Sequence, residues 1–218
     1  MAYRQTPAVK ARLDETKRAI VTAATELIHD HGYAGCSMAR VAERAGVATG
    51  TTYRFFPSKG ELFAEVFRKA VAREVAAVTE AGNRAFAQQS PHEAAIAAVR
   101  TFCHRALKSP RLAYALLAEP VDPLVDAERL VFRAAFTDLF ATVVEAGIAR
   151  GEFPRQDPKI SGAAIVGAIN DVLLAPLVQH ADPAATIAEL EAFVSRALGA
   201  TINPGATNPG EVADHAHP

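Results

Sequence analysis

The sequence predicts an all-α chain: a small N-terminal three-helix helix-turn-helix unit joined through a long fourth helix to a larger helical body. Three observations predict it. Apolar residues recur at three- and four-residue spacing over most of the length, with no strand-like alternation. Glycine stops and serine or proline starts divide that pattern into helix-sized pieces. Within the first 60 residues the pieces run long helix, short helix, glycine turn, short helix.

The first helix is expected from Asp14 to His31, where Ile20, Ala23, Ala24, Leu27 and Ile28 share a face and Gly32 ends it in a left-handed turn. Residues 1–13 read as a flexible basic arm. Ser37 caps a second helix carrying Met38, Val41, Ala42 and Ala45 on one face and stopped by Gly46. A third begins at Ala48 or Thr49 and ends before Pro57, since proline disfavours helical geometry in the residue preceding it. Ser58 and Glu61 form a capping box for the fourth, whose buried stripe is Leu62, Phe63, Val66, Phe67, Ala70 and Val71. Residues 85–91, AFAQQSP, read as a link. Helices then follow at about 92–108, 110–118, 123–150, 158–180 and 184–199. The tail 201–218 has too few apolar residues to pack and is expected to be disordered; its His215 and His217 lack a third ligand, so no metal site is expected. Domain boundaries are accordingly placed at 1–60, 61–200 and 201–218.

One stretch is a poor helix by composition. GVATGTTYRFFPSKGELF, residues 46–63, has glycines, threonines and aromatics where Ala, Leu, Glu or Lys would serve better. At about 100° per residue, Thr52 and Phe56 point toward the other helices, while Thr51, Arg54 and Phe55 point away. The outward face is small, hydroxylated, basic and aromatic. Gly50 lets a backbone approach closely, Thr51 can donate to phosphate or touch a thymine methyl, and Arg54 can pair with phosphate or guanine. The third helix gives up helix propensity for a surface that reads a DNA groove.

These residues, with the preceding SMARVAERAGV, resemble the DNA-binding module of the tetracycline-repressor (TetR) family over about fifty residues. The resemblance implies DNA contacts at Thr49, Gly50, Thr51, Tyr53 and Phe55, phosphate anchoring by Tyr53 and Lys59, and approach to the backbone by Ser37 and Arg40. Two positions depart from the family pattern. Ala48 replaces a frequent capping serine, which leaves Thr49 to cap in its place, and Thr52 replaces the usual Leu, Ile or Val. Lys59 falls in a first helical turn, where a cation is unfavourable unless an anion is close.

In the larger part, Val131, Phe132, Ala135, Phe136, Leu139, Phe140, Val143, Val144 and Ile148 surround most of one helix, which is therefore buried or lines a cavity. The resemblance implies an effector pocket there, its state carried to the head by the fourth helix. Candidate pocket residues are His104, Tyr114, Arg133, Phe136, Phe140 and Asn170, with Arg100 and Arg105 as further polar groups. The phenylalanines either fill a dry core or wall the pocket. Small residues near Gly162, Ala163, Gly167 and Ala168, and the spacing of Leu190, Phe193, Val194 and Ala197, suit close helix-to-helix contact. In the family the last two helices of each protomer pair as a four-helix bundle, so Ala163, Gly167, Leu190, Phe193 and Ala197 are the expected dimer face. Asn170 and Asp171 belong either to that face or to the pocket.

Composition fits this assignment. Half of the 218 residues are hydrophobic, enough for a substantial core. Residues 1–60 carry nine Lys/Arg against five Asp/Glu, whereas the whole chain has net charge −1, so the basic excess sits in the head and suits a polyanion. The first twenty residues hold no apolar run of a secretory signal, and the stretch 163–178, interrupted by Asn170, Asp171 and Pro176, reads as too short to span a bilayer. Two separated cysteines, Cys36 and Cys103, fit reduced thiols in a cytoplasm. No GxSxG, phosphate loop or metal spacing occurs, so neither an enzyme nor a cofactor is expected. The sequence reads as a homodimeric bacterial transcriptional regulator, a repressor released from an inverted-repeat operator by a mainly apolar effector. The alternative is a helical protein-interaction module without sequence-specific DNA binding.

Overall fold

A computed structural model describes residues 6–178 and 182–199. Among the described residues the chain forms nine α-helices and no strand: α1 (Pro7–His31), α2 (Met38–Arg44), α3 (Thr49–Phe55), α4 (Lys59–Gln88), α5 (Pro91–Lys108), α6 (Pro110–Leu117), α7 (Pro123–Ala149), α8 (Pro158–Val178) and α9 (Pro183–Ala197). Local chemistry accounts for most boundaries. The Oγ atoms of Ser37, Ser58 and Ser90 accept from the amides of Arg40, Glu61 and Glu93 at 3.2, 3.1 and 3.2 Å, each closing a first turn. Asp122 and Asp182 cap α7 and α9 in the same way. Proline opens α1, α5, α6, α7 and α9, where its missing N–H and fixed φ cost nothing. Gly32 and Gly46, at φ 69° and 66°, turn the chain out of α1 and away from α2 in a conformation that a side chain would strain.

Two apolar cores result. The head's core joins Ile20, Ala24, Leu27 and Ile28 of α1 with Met38 and Val41 of α2, Phe56, and Leu62, Phe63, Val66 and Phe67 of α4. Ala115 of α6 and Val125 of α7 also enter it. The first turns of α4 thus belong to the head, and a cut at residue 60 would divide a single core. The body's core gathers α4, α5, α7, α8 and α9 around Phe102, Phe132, Phe136 and Phe140.

Several expectations need correction. Helix α1 starts at Pro7 rather than Asp14, so residues 7–13 are helical and not a flexible arm; residues 1–5 lie outside the described residues. Thr6 supplies the cap, and because residues 7–12 are all exposed no apolar stripe announces this part of the helix. Helix α4 runs to Gln88 through most of the expected link. Helix α8 continues through Pro176, giving an apolar window of 20 residues, Pro158–Leu177, that is long enough to cross a membrane by length and composition. About a third of that window is buried, with Ile165, Val166, Ile169 and Leu173 packed in the body's core. The tail 201–218, with His215 and His217, lies outside the described residues.

Candidate nucleic-acid interface and effector cavity

Helix α3 is held by one face and open on the other. Thr52 is fully buried and Phe56, the residue that caps the helix, is 5% exposed, so both turn inward as their phase requires. Thr49, Gly50, Tyr53 and Arg54 are exposed, and Thr51 is half-buried. Nothing lies within 4 Å of where a Cβ on Gly50 would stand, so the backbone there is free to meet another surface closely. Ala48 is the N-cap and makes no side-chain bond; Thr49 is the first helical residue and does not cap, which frees its hydroxyl for a ligand. Phe55 is half-buried against the head's core and lies beneath the Arg54 guanidinium, 5.5 Å from carbon to ring centre, so it supports Arg54 more than it faces outward.

The flanking basic groups divide. The Arg40 side chain is exposed and donates to the Gly35 carbonyl, while its amide is the one capped by Ser37. Arg44 pairs with Glu26 and Asp30 at 3.4 and 3.3 Å. Lys59 differs from the expectation of a free phosphate anchor: it is half-buried, its Nζ donates to the Tyr33 carbonyl at 2.9 Å, and it sits 3.9 Å from the centre of the Tyr33 ring. Burial lowers its pKa. A carbonyl dipole and a π face stand where the helix-dipole consideration required a negative partner.

In the body, Phe136 and Phe140 belong to the core. Phe136 meets Phe102 and Phe132 edge to face with centroids 5.3 and 4.7 Å apart, and Phe102 and Phe132 lie tilted at 6.1 Å. The void they enclose with Phe140, Val166, Ile169 and Asn170 is about 10 Å³, room for at most one water molecule. Asn170 faces this void and Asp171 is exposed. His104 and Arg133 are exposed, and Tyr114 lines a separate open cleft with Asp30, His31, Arg111 and Glu119. None of the three joins the phenylalanines, because each points from its helix at another angle. A roomier cavity of about 210 Å³ lies between α4, α5, α6 and α7. Phe102, Leu112, Ala113, Leu116 and Phe132 supply its apolar wall. Its rim holds Lys108 and the ion pair of Arg105 with Glu74, two bonds of 2.6 and 2.9 Å. A more open groove of about 390 Å³ runs between α4 and α7 past Phe86, Leu139 and Val143.

Comparison with known proteins places this architecture. The pattern described as "Bacterial regulatory proteins, tetR family" matches residues 20–66, which hold most of α1, all of α2 and α3 and the start of α4. The head of the chain belongs to the tetR family. The A-factor receptor protein of Streptomyces griseus is 29% identical over 94% of this chain and 69% of its own length. Other curated regulators match over 68 and 69 residues, and the chain spans about a third of their length. Among solved structures, RolR in complex with resorcinol aligns at TM-score 0.68 and 19% identity, covering 88% of this chain and 91% of that one. FadR from Bacillus subtilis in complex with stearoyl-CoA aligns at TM-score 0.70 and 19% identity, covering 81% and 96%. These structural likenesses show the fold.

On this tetR-family fold the expected dimer face is divided as well. Ala163, Phe193 and Ala197 are exposed and Gly167 opens onto empty space, whereas Leu190 is 2% exposed in the body's core. Leu190 is withdrawn from that face: Ile187, Leu190 and Val194 form the inner stripe of α9 and leave Phe193 outside. Cavity residues Glu74, Leu112, Leu116 and Leu117 carry no motif in the sequence, since they converge only when α4 and α6 both pack on α5.

Proposed function

We propose that this chain is a DNA-binding transcriptional regulator that acts as a homodimer on an inverted-repeat operator and is released from it by a small, mainly apolar effector. The observation that carries the DNA-binding reading is the open face of α3. Thr49, Gly50, Tyr53 and Arg54 stand free on a helix whose opposite face, Thr52 and Phe56, is anchored in the head. A helix held in this way is placed for the major groove. The curated regulators that match about a third of this chain include an activator and a repressor by name, and the repressor assignment rests on the release reading alone. Pairing of two copies is supported by the outer faces of α8 and α9. They present Ile160 at 70%, Phe193 at 45% and Val172 at 41% exposure, together with Ala163 and Ala197.

The cavity beside α6 suits the effector better than the void among the phenylalanines. At 210 Å³ it exceeds the roughly 150 Å³ that accommodates benzene in an engineered protein core, so a ring-sized molecule fits. Arg105, Glu74 and Lys108 at the rim favour one polar handle. Resorcinol, the ligand of the structural relative RolR, is a single ring of that size, with two hydroxyls.

Binding to random duplex DNA across a salt series tests the reading, followed by selection of preferred sites from a random pool. Affinity should fall steeply as salt rises, and the selected sites should be inverted repeats. Absence of binding at low salt would return the chain to the alternative of a helical protein-interaction module.

A further inference from the structure

Among the described residues of the body two polar side chains are buried, and only one of them is satisfied. Ser195 of α9 meets His92 at 2.9 Å and donates to the Glu191 carbonyl at 3.0 Å. Asn170 of α8 is just as deep, at 6% exposure, yet among the described residues its carboxamide enters no hydrogen bond. The residues that share its void are Phe102, Phe132, Phe136, Phe140, Val166 and Ile169, all apolar. A carboxamide offers two N–H donors and a carbonyl acceptor, and a void of about 10 Å³ has room for at most one water to meet them. A buried polar group short of partners costs stability, and an apolar residue would pack here as Ile169 and Leu173 do. Asp171, the next residue, stands outside, so α8 had a polar position to spare. The fold gains nothing from Asn170; a ligand would.

Two rings separate this carboxamide from the cavity beside α6. Phe102 of α5 and Phe132 of α7 are the residues common to the 210 Å³ cavity and the void. Their ring centres lie 6.1 Å apart, with the planes tilted by 36°. Carbon atoms in contact stand about 3.5–4.0 Å apart, so a flat ring fits between two others once their centres are about 7 Å apart. Parting Phe102 and Phe132 by about 1 Å therefore admits a flat molecule from the cavity and brings its inner end to Asn170. Both rings are less buried than Phe136 and Phe140, so the looser pair is the one that borders the cavity.

We propose that the cavity beside α6 and the Asn170 void are two chambers of one binding site, divided by Phe102 and Phe132, and that Asn170 selects the ligand by its inner end. This rests on the effector reading above for the cavity as a binding site and adds the class of molecule. The occupant is a flat, mainly apolar ring compound, long enough to pass the partition. One neutral oxygen, a hydroxyl or a carbonyl, lies at its inner end, and a second polar group meets Arg105 and Lys108 at the rim. Neutrality follows from the lining: no charged side chain borders the void, and an ion there would lose its hydration without a partner. The carboxamide accepts from a hydroxyl or donates to a carbonyl, so it serves either oxygen.

The test uses the full chain without DNA and two probes of one shape, 2-naphthol and naphthalene, which differ by a single hydroxyl. Titrations followed by the probes' own fluorescence give the dissociation constants. The wild-type protein should bind 2-naphthol about three- to tenfold more tightly than naphthalene, the gain of one neutral hydrogen bond. Asn170→Leu should fold at least as stably as wild type, keep its affinity for naphthalene and lose the preference. Phe132→Leu, which shortens the partition, should speed association of both probes in stopped flow and leave the preference intact. Equal affinities in the wild type, or a preference that survives in Asn170→Leu, would overturn the role of Asn170, because the hydroxyl would then lie at the rim; the cavity reading would stand. A large fall in melting temperature for Asn170→Leu would overturn it as well, by showing that the carboxamide serves the core. Association as slow in Phe132→Leu as in wild type would overturn the partition. Failure of both probes to bind the wild type would remove the two-chamber site and the cavity reading together. Probes that bind with an Asn170-dependent preference yet leave duplex binding unchanged would keep the site and remove only its use for an effector.

Discussion

Thr52 offers a stability prediction whose sign depends on a single hydroxyl. Its side chain is fully buried in the head, and its Oγ1 has no hydrogen-bond partner. Helical threonines usually bond the carbonyl four residues back, as Thr25 does to Val21 at 2.8 Å and Thr142 to Asp138 at 3.0 Å. At Thr52 that carbonyl belongs to Ala48, which already accepts from the amides of Thr51 and Thr52 at 2.8 and 3.3 Å. The hydroxyl is thus desolvated without compensation, at a cost of about 1–3 kcal/mol. Valine places a methyl in the same volume and keeps the β-branched backbone preference, so Thr52→Val should stabilise the protein by about 1–2 kcal/mol. For a chain of this size that corresponds to a rise in melting temperature of roughly 2–8 °C. Calorimetry and urea unfolding would measure it, with the midpoint shifting at constant slope. Thr52→Ser, which keeps the hydroxyl and loses the methyl, should destabilise by about 1 kcal/mol. Affinity for duplex DNA at fixed salt should not change, because Thr52 faces away from the open side of α3. A Thr52→Val protein no more stable than wild type would show that the hydroxyl is bonded after all.

Three further outcomes follow from the same geometry. Tyr53→Phe should weaken binding to random and preferred duplexes alike by about three- to tenfold, as loss of one phosphate bond does, whereas Lys59→Ala should lower the melting temperature and leave the salt slope unchanged, because its ammonium is spent on Tyr33. Phe193→Asp should yield a folded monomer by analytical ultracentrifugation, since Phe193 is nearly half exposed, while Leu190→Asp should fail to fold, since Leu190 is in the core; a dimeric Phe193→Asp protein would place the interface elsewhere. Cys103 is buried so fully that desolvation pushes its thiol up to about 12 from an ordinary value of 9.0. Its proton is held in the folded state and lost in the unfolded one, so its contribution to stability is complete below pH 9 and falls away as the pH rises toward 12. Cys103→Ala should flatten the alkaline limb of the stability profile in urea titrations, and equal slopes in both proteins would contradict this.

The sequence by itself determined where most helices begin and end. Ser37, Ser58, Pro91, Pro110, Pro123 and Pro183, with Gly32 and Gly46, act through bonds and torsions within one turn, and such signals need no tertiary partner. It also determined which face of α3 stays open, because a helix fixes the angle between Thr52 and Tyr53 once either is placed. The exposed start of α1 escaped notice because Thr6 and Pro7 stand before residues with no apolar stripe. What a side chain meets beyond its own helix was decided only by the tertiary structure. Lys59 reads as a free cation until the α1–α2 turn brings the Tyr33 carbonyl to 2.9 Å from it. Leu190 and Phe193, three residues apart and both apolar, separate into core and surface only when α5 and α8 pack on α9. The cavity and the bond from the Tyr33 amide to Glu119 join residues 31 to 86 positions apart in the chain, as the pairs Arg105–Glu74 and Tyr33–Glu119 show. Contacts at that range depend on how whole helices dock, and no periodicity along a single helix encodes its neighbour.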